Sequence, residues 1–264
     1  MVRLTTLGRL DLVGSEGQVV RSVLQQPKRL ALLVHLVVEG MDGYVRRDTV
    51  LGLFWPDHAE DRARNALNQA VHYLRRSLGR DVIVSRGAEE LGVAEGALHC
   101  DAVEFQRRLD AGEAAEALAL YGGEFLRGFH LDGAPEFERW LERRRSTLRG
   151  LATDAARRLS EAERESGSAV AAVHWARRVV EFTPYDERAA RRLMELLRAT
   201  GDRAGALRTF RQLTRRLAEH LDTEPSPETR RLAEAIRSSA DAEETASSRQ
   251  PAGDSEEAGL TTPA

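Results

Sequence analysis

Residues 60–79, EDRARNALNQAVHYLRRSLG, decide how this chain is to be read. At the helical advance of about 100° per residue, Ala63, Ala66, Leu67, Ala70, Leu74 and Leu78 fall on one stripe, with Val71 at its edge, the pattern of a helix that buries one side. The other side collects Asn65, Asn68, Gln69, His72 and Arg76, flanked by Arg62, Arg64 and Arg75, and no acidic residue follows Asp61. A solvated face ordinarily interleaves Glu with Lys or Arg four residues apart. Amides and arginines without acids are the groups that read a DNA major groove: amides pair with adenine edges, and Arg forks onto guanine or a phosphate. His72 is read as a contact residue, because a lone histidine between helix neighbours is neither a metal site nor a catalyst.

The flanks fit that reading. After Gly79, Asp81-Val-Ile-Val-Ser, a turn at Arg86-Gly-Ala-Glu-Glu and Leu91-Gly-Val predict a hairpin, hence a wing with Arg86 at its turn. Before residue 60, Pro27 opens a helix carrying Leu30, Leu33, Val34, Val37 and Val38 until Gly40 ends it. A short helix follows, with Asp48 and Thr49 as polar caps, Val50, Leu51, Leu53, Phe54 and Trp55 as its apolar face, and Pro56 as its stop. Val2, Leu4, Leu7, Leu10 and Leu12, then Gln18-Val-Val-Arg-Ser after a Gly14-Ser-Glu-Gly turn, predict a small antiparallel sheet. Residues 1–98 therefore read as a winged-helix domain of α+β type.

Net charge is −3, and residues 1–99 hold 13 Lys+Arg against 12 Asp+Glu, so any basic surface has to be local. Lys28 is the one lysine among 39 basic residues, an arginine bias in which a single Arg carries little meaning. Cys100 is the sole cysteine, which excludes an internal disulfide, a CxxC redox pair and a cysteine-based zinc knuckle. The first residues lack an apolar leader, and no apolar run reaches the roughly 18 residues of a membrane span, so a cytoplasmic, nucleoid-associated protein with no membrane partner is expected.

Residues 99–238 are helical in pattern throughout, giving a chain that is mainly α, its winged helix followed by an all-α TPR-like helical-repeat domain. Two segments repeat at an offset of 34 residues, the tetratricopeptide period: Gly167 matches Gly201, Ala172 Ala206, Val173 Leu207, Ala176 Phe210 and Val179 Leu213. Each Gly ends one helix, and the small residue five positions on lets the next pack closely. Gly112 with Ala117 and Leu118 is a fainter echo, so at least three helix pairs are expected. Such pairs form surfaces that bind other proteins and rarely host catalysis. Trp140 and Trp175 are assigned to packing between helices. Arg143-Arg-Arg is assigned to a solvated face paired with Glu136, Glu138 and Glu142. The segment 239–264 has six acidic residues, one Arg and almost no apolar anchor, and reads as a disordered acidic tail.

No HExxH, GxSxG, glycine-rich phosphate loop or HxE-with-CxxC pattern is present, and the carboxylates are spread as helix-face charge, so neither enzymatic activity nor a cofactor is expected.

Three stretches carry a family resemblance: PKRLALLVHLV in the first long helix, LGLFWPDHAEDRARNALNQAVHYLRRSLG through the third, and LRATGDRAGALRTFRQLTRRLAEHLDTEPSPETRRL near the end, with its Glu224-Pro-Ser-Pro227 turn. They resemble the SARP family of bacterial transcriptional activators, which join an OmpR-like winged helix to a bacterial transcriptional activation domain of TPR-like helices. The resemblance spans residues 2–237. It implies an activator that binds promoter direct repeats on double-stranded DNA as a side-by-side homodimer and recruits RNA polymerase holoenzyme. It also places Arg64, Asn65, Asn68, Gln69, His72, Arg75 and Arg76 on the recognition helix and Arg86 on the wing. Many members read LQVHVSRLRR in mid-helix where this chain has LNQAVHYLRR, so the target sequence does not transfer. Some members append an ATPase module, but GxxxxGK[ST] is missing here and ATP binding is not expected. The competing reading is a TPR-based protein–protein adaptor whose winged helix does not bind DNA.

Overall fold

A computed structural model describes residues 1–40 and 43–247. The chain is mainly helical, with two small sheets near its start, and packs as two compact units, Met1–Phe182 and Thr183–Ala264.

The first unit opens with β1 (Val2–Thr5) and β2 (Asp11–Val13), antiparallel with Leu4 opposite Leu12. The alternation buries Val2, Leu4 and Leu12 on one side. Val13 and Val19 make only an isolated bridge, and Arg21-Ser22, expected in a strand, lie instead in a short helix, α1 (Arg21–Leu24), whose turn carries Val23 into the core. α2 (Pro27–Glu39) starts on Pro27, whose missing N–H costs nothing in a first turn, and is buried continuously from Leu30 to Val38. β3 (Val45–Arg46) leads into α3 (Arg47–Phe54), which begins one residue before the expected cap; Asp48 sits in its first turn, where a carboxylate favours the helix dipole. α4 (Glu60–Leu78) buries Ala63, Leu67, Ala70, Val71, Leu74 and Leu78, the expected stripe with Ala66 half-buried. The hairpin of β4 (Ile83–Arg86) and β5 (Glu90–Val93) turns at Gly87, φ 60°, and β3 adds an edge beside β5. This is the wing.

β6 (Leu98–Cys100) returns to pair with β1 in parallel, Leu4 opposite Cys100, completing a sheet of order β2-β1-β6. The joint expected between residues 98 and 99 thus lies inside the first unit. Asp101, at the start of α5 (Asp101–Asp110), seals it: its carboxylate accepts from the Thr6 N–H (2.8 Å) and hydroxyl (2.6 Å), the Leu7 N–H (2.9 Å) and the Ala102 N–H (2.8 Å). Beyond it, α6 (Ala114–Leu120) is followed by the long α7 (Pro135–Glu165) and by α8 (Ala169–Phe182).

α7 anchors the winged helix through an aromatic cluster. Phe137 lies 5.2 Å from both Phe54 and Trp140, and His35 of α2 meets Trp140 edge-on at 5.0 Å. Trp140 is buried as expected, but Arg143-Arg-Arg is not a uniform solvated face. Arg144 holds Glu39 of α2 at 2.7 Å, and Arg145 donates to the carbonyls of Phe125, Leu126 and Phe129 at 2.8–3.0 Å. Leu126 is in the left-handed region, φ 47°, so its loop turns carbonyls inward and needs such a donor. Gly8, φ 87°, lies against the backbone of Gly122, where a Cβ would come within 2.7 Å of the carbonyl carbon. Gly8→Ala is therefore expected to cost about 1–3 kcal/mol, read as a lower urea midpoint.

In the second unit, α9 (Glu187–Ala199), α10 (Arg203–Leu221) and α11 (Pro227–Ser247) pack around Ala190, Leu213 and Leu217. Glu187 receives the Ser226 N–H (2.9 Å) and the hydroxyls of Ser226 and Thr229, which fixes the Glu-Pro-Ser-Pro turn. Gly112, Gly167 and Gly201 separate α5 from α6, α7 from α8 and α9 from α10, at φ 81°, 83° and 78°. The three helix pairs are those expected, each ending its first helix on the left-handed residue that glycine supplies without strain. α11 continues past Ser239 to Ser247, through Ala- and Glu-rich sequence of good helix propensity. The rest of the segment read as tail lies outside the described residues. Among the described residues no helix is long and apolar enough to cross a membrane.

Candidate nucleic-acid interface

α4 lays its apolar stripe on the core and turns Arg62, Asn65, Asn68, Gln69, His72 and Arg76 to the surface. Asn65, Asn68, Gln69, His72 and Arg76 line one shallow concavity together with Arg29 and Tyr73. Arg29 comes from the first turn of α2. Its guanidinium lies 3.8 Å from the centre of the Tyr73 ring, and the Tyr73 hydroxyl donates to the Ser22 carbonyl at 2.9 Å. The ring is thereby pinned, and it holds the Arg29 guanidinium over its face. Arg76 approaches the same ring at 5.8 Å. Sequence reading missed Arg29 and Tyr73, and the one available signal was the polar Lys28-Arg29 step at the head of an otherwise apolar helix. Lys28 serves the fold: its ammonium donates to the Phe54 carbonyl at 3.1 Å, and burial lowers its pKa.

The remaining arginines differ in how they are engaged. Arg62 is exposed at the N-terminal end of α4, outside the concavity. Arg64 is held by Glu60 (2.8 Å) and Asp48 (3.5 Å), and the hydrogen bond and charge of Glu60 raise its pKa. Arg75 donates from Nε to the Ile83 carbonyl (2.8 Å) and from Nη2 to Ser85 Oγ (3.1 Å), so it fastens α4 to the wing. Arg86, on the wing, pairs with Glu90 and lies over the Tyr44 ring at 4.5 Å. Arg47, a further residue missed in the sequence, donates to Asn68 Oδ1 at 3.0 Å. The acids around the face thus engage Arg64 and Arg86, whereas no ion pair among the described residues engages Arg29, Arg62 or Arg76. No group of three or more His, Cys, Asp and Glu that would hold a metal ion occurs among the described residues.

A helix with a polar face rich in amides and arginines, a wing stapled to it and helix pairs following it in the chain are the parts of a transcription regulator of winged-helix type. The chain belongs to the bacterial transcriptional activator domain family, whose model matches residues 85–237, and the SARP-type resemblance read from the sequence stands with it. The solved structure of Mycobacterium tuberculosis EmbR in complex with a low-affinity phosphopeptide is similar in fold. Its TM-score is 0.56 at 23% identity, over 94% of this chain and 69% of that one. No curated protein matches the chain.

Proposed function

We propose that this regulator binds double-stranded promoter DNA with α4 in the major groove and the Arg86 wing against the flanking backbone. The observation that carries the reading is the concavity in which Asn65, Asn68, Gln69, His72, Arg76 and Arg29 converge with no carboxylate among its lining. Amides and a histidine supply base-edge contacts, and guanidiniums supply phosphate contacts. Following the family, it acts in the cytoplasm, on the nucleoid, as a side-by-side dimer on direct repeats, and activates by recruiting RNA polymerase holoenzyme. It is not an enzyme and needs no cofactor.

Selection of bound duplexes from random DNA by the full chain, followed by titration of the best sequence from about 50 to about 200 mM salt, tests this reading. Enrichment of a direct repeat is expected, with an affinity loss of roughly 10³–10⁵ across that range for six to ten phosphate contacts. An absence of both enrichment and salt-sensitive binding would favour the adaptor reading. Replacing Arg29 and Arg76 together by Ala is expected to weaken all sequences alike and to reduce the salt slope by about two, whereas Gln69→Ala changes preference at one or two positions by roughly 1–3 kcal/mol. Arg75→Ala acts differently, by loosening the wing whose strand it holds.

A further inference from the structure

Asn68 lies on the exposed face of α4, and its amide has a side-chain partner from another helix. Arg47, the first residue of α3, directs Nη1 at Asn68 Oδ1 at 3.0 Å. A guanidinium has donors only, so the end of the amide that faces it has to be the oxygen. Arg47 is itself confined: its Nε is buried without a partner among the described residues, and Leu51, Leu67 and Ala88 wall the hollow it shares with Asn68 and Arg64. Burial and the charges of Arg75 and Arg64, opposed by Glu89, hold its pKa below the ordinary arginine value, yet a guanidinium stays charged at neutral pH. The oxygen end of the Asn68 dipole therefore faces a cation that has two further cations near it. Turning the amide over would set its NH₂ group against the Arg47 guanidinium.

Resting on the DNA reading above, we infer that Arg47 is a positioning residue that turns the Asn68 amide donor-end outward, so that it reads the N7/O6 edge of guanine in preference to adenine. An unrestrained amide pairs with adenine by donating to N7 while its oxygen accepts from the N6 amino group. Here one of that oxygen's two acceptor sites is taken by Arg47, and an N6 hydrogen approaching the other would do so beside a charged donor, which weakens the adenine pairing. The Nδ2 hydrogens, turned away from Arg47, meet two acceptors on guanine and only one on adenine. On this inference Asn68 departs from the adenine pairing expected of the helix's amides.

The test is selection from random duplexes with the full chain in four forms: wild type, Asn68→Ala, Arg47→Met and Asn68→Asp. The position whose preference disappears in Asn68→Ala is the base that Asn68 reads. Guanine is expected there in the wild type, and Arg47→Met, which keeps an apolar stem, is expected to reduce guanine over adenine by about tenfold while the other positions keep their bases. Asn68→Asp retains an acceptor for Arg47 but has no donor, and is expected to lose the guanine preference with the fold intact. Adenine at that position in the wild type, or guanine retained in Arg47→Met or Asn68→Asp, overturns the inference while leaving DNA binding in place. A wild-type chain that enriches no sequence removes the DNA reading itself.

Discussion

Asp101→Ala is expected to lower the stability of the first unit by about 3–5 kcal/mol, the largest single effect foreseen for this chain. The carboxylate is 8% exposed and accepts from the Thr6 N–H and hydroxyl, the Leu7 N–H and its neighbour's N–H at 2.6–2.9 Å. Removing it strands several buried donors, and each unsatisfied donor costs about 1–3 kcal/mol. It also detaches β1 from the head of α5, the place where the winged helix is joined to the helices that follow. Urea unfolding followed by tryptophan fluorescence reports this unit alone, because Trp55, Trp140 and Trp175 are the chain's only tryptophans and all precede residue 183. Asp101→Asn keeps the shape but turns at least one donor toward donors, so an intermediate loss is expected. An unchanged urea midpoint in Asp101→Ala would show that the clamp is not what joins β1 to α5.

His35 should make the same unit sensitive to mild acid. The ring is 3% exposed, sits edge-on between Phe54 and Trp140, and neither nitrogen has a hydrogen-bond partner among the described residues. Burial pushes its pKa down to about 4, against the raising effect of Glu39 and with a smaller lowering from Arg144. Between pH 6.5 and about 4 the unfolded chain takes up a proton that the folded chain refuses. The stability His35 allows is therefore complete above 6.5 and is lost as pH falls toward 4, by roughly 3 kcal/mol over the window. Glu39 adds to the trend lower down. Burial opposes its ionisation, but the hydrogen bonds from Trp140 and Arg144 and the Arg144 charge bring its pKa below the ordinary carboxylate value, so its contribution is present above 4.5 and fades as pH drops through the folded value. Urea midpoints at pH 7 and pH 5 separate the two groups, since the upper window belongs to the histidine. His35→Leu is expected to flatten that slope at little cost at pH 7, because the ring makes no hydrogen bond that Leu would forfeit. A slope in His35→Leu as steep as in the wild type would refute the assignment.

Local rules made much of this protein legible before any tertiary contact was known. The bounds and buried stripe of α4, the start of α2 at Pro27, the hairpin around Gly87 and the helix ends at Gly112, Gly167 and Gly201 all follow from period, ring constraint or left-handed backbone. The polar face of α4 was readable for the same reason, since a helix of known phase fixes which side chains share a side. What the face does with those side chains was not readable. Arg29 reaches it from a helix more than thirty residues earlier in the chain and rests on Tyr73, Arg47 sets the Asn68 amide, and Arg64 and Arg75 are turned to Asp48 and to the wing. The parallel strand β6 and the clamp of Asp101 on Thr6 were equally silent, three residues being too short for a pattern and a carboxylate after a cysteine having no local signature. Periodicity and turn chemistry act over a few residues and are written in sequence order. By itself the sequence determined where α2, α4 and the glycine-ended helices form and which face of α4 is polar; only the tertiary structure decided which arginines are free, which amide end faces outward and where the two units divide, because ion pairs and shared hydrogen bonds depend on distances that folding alone sets.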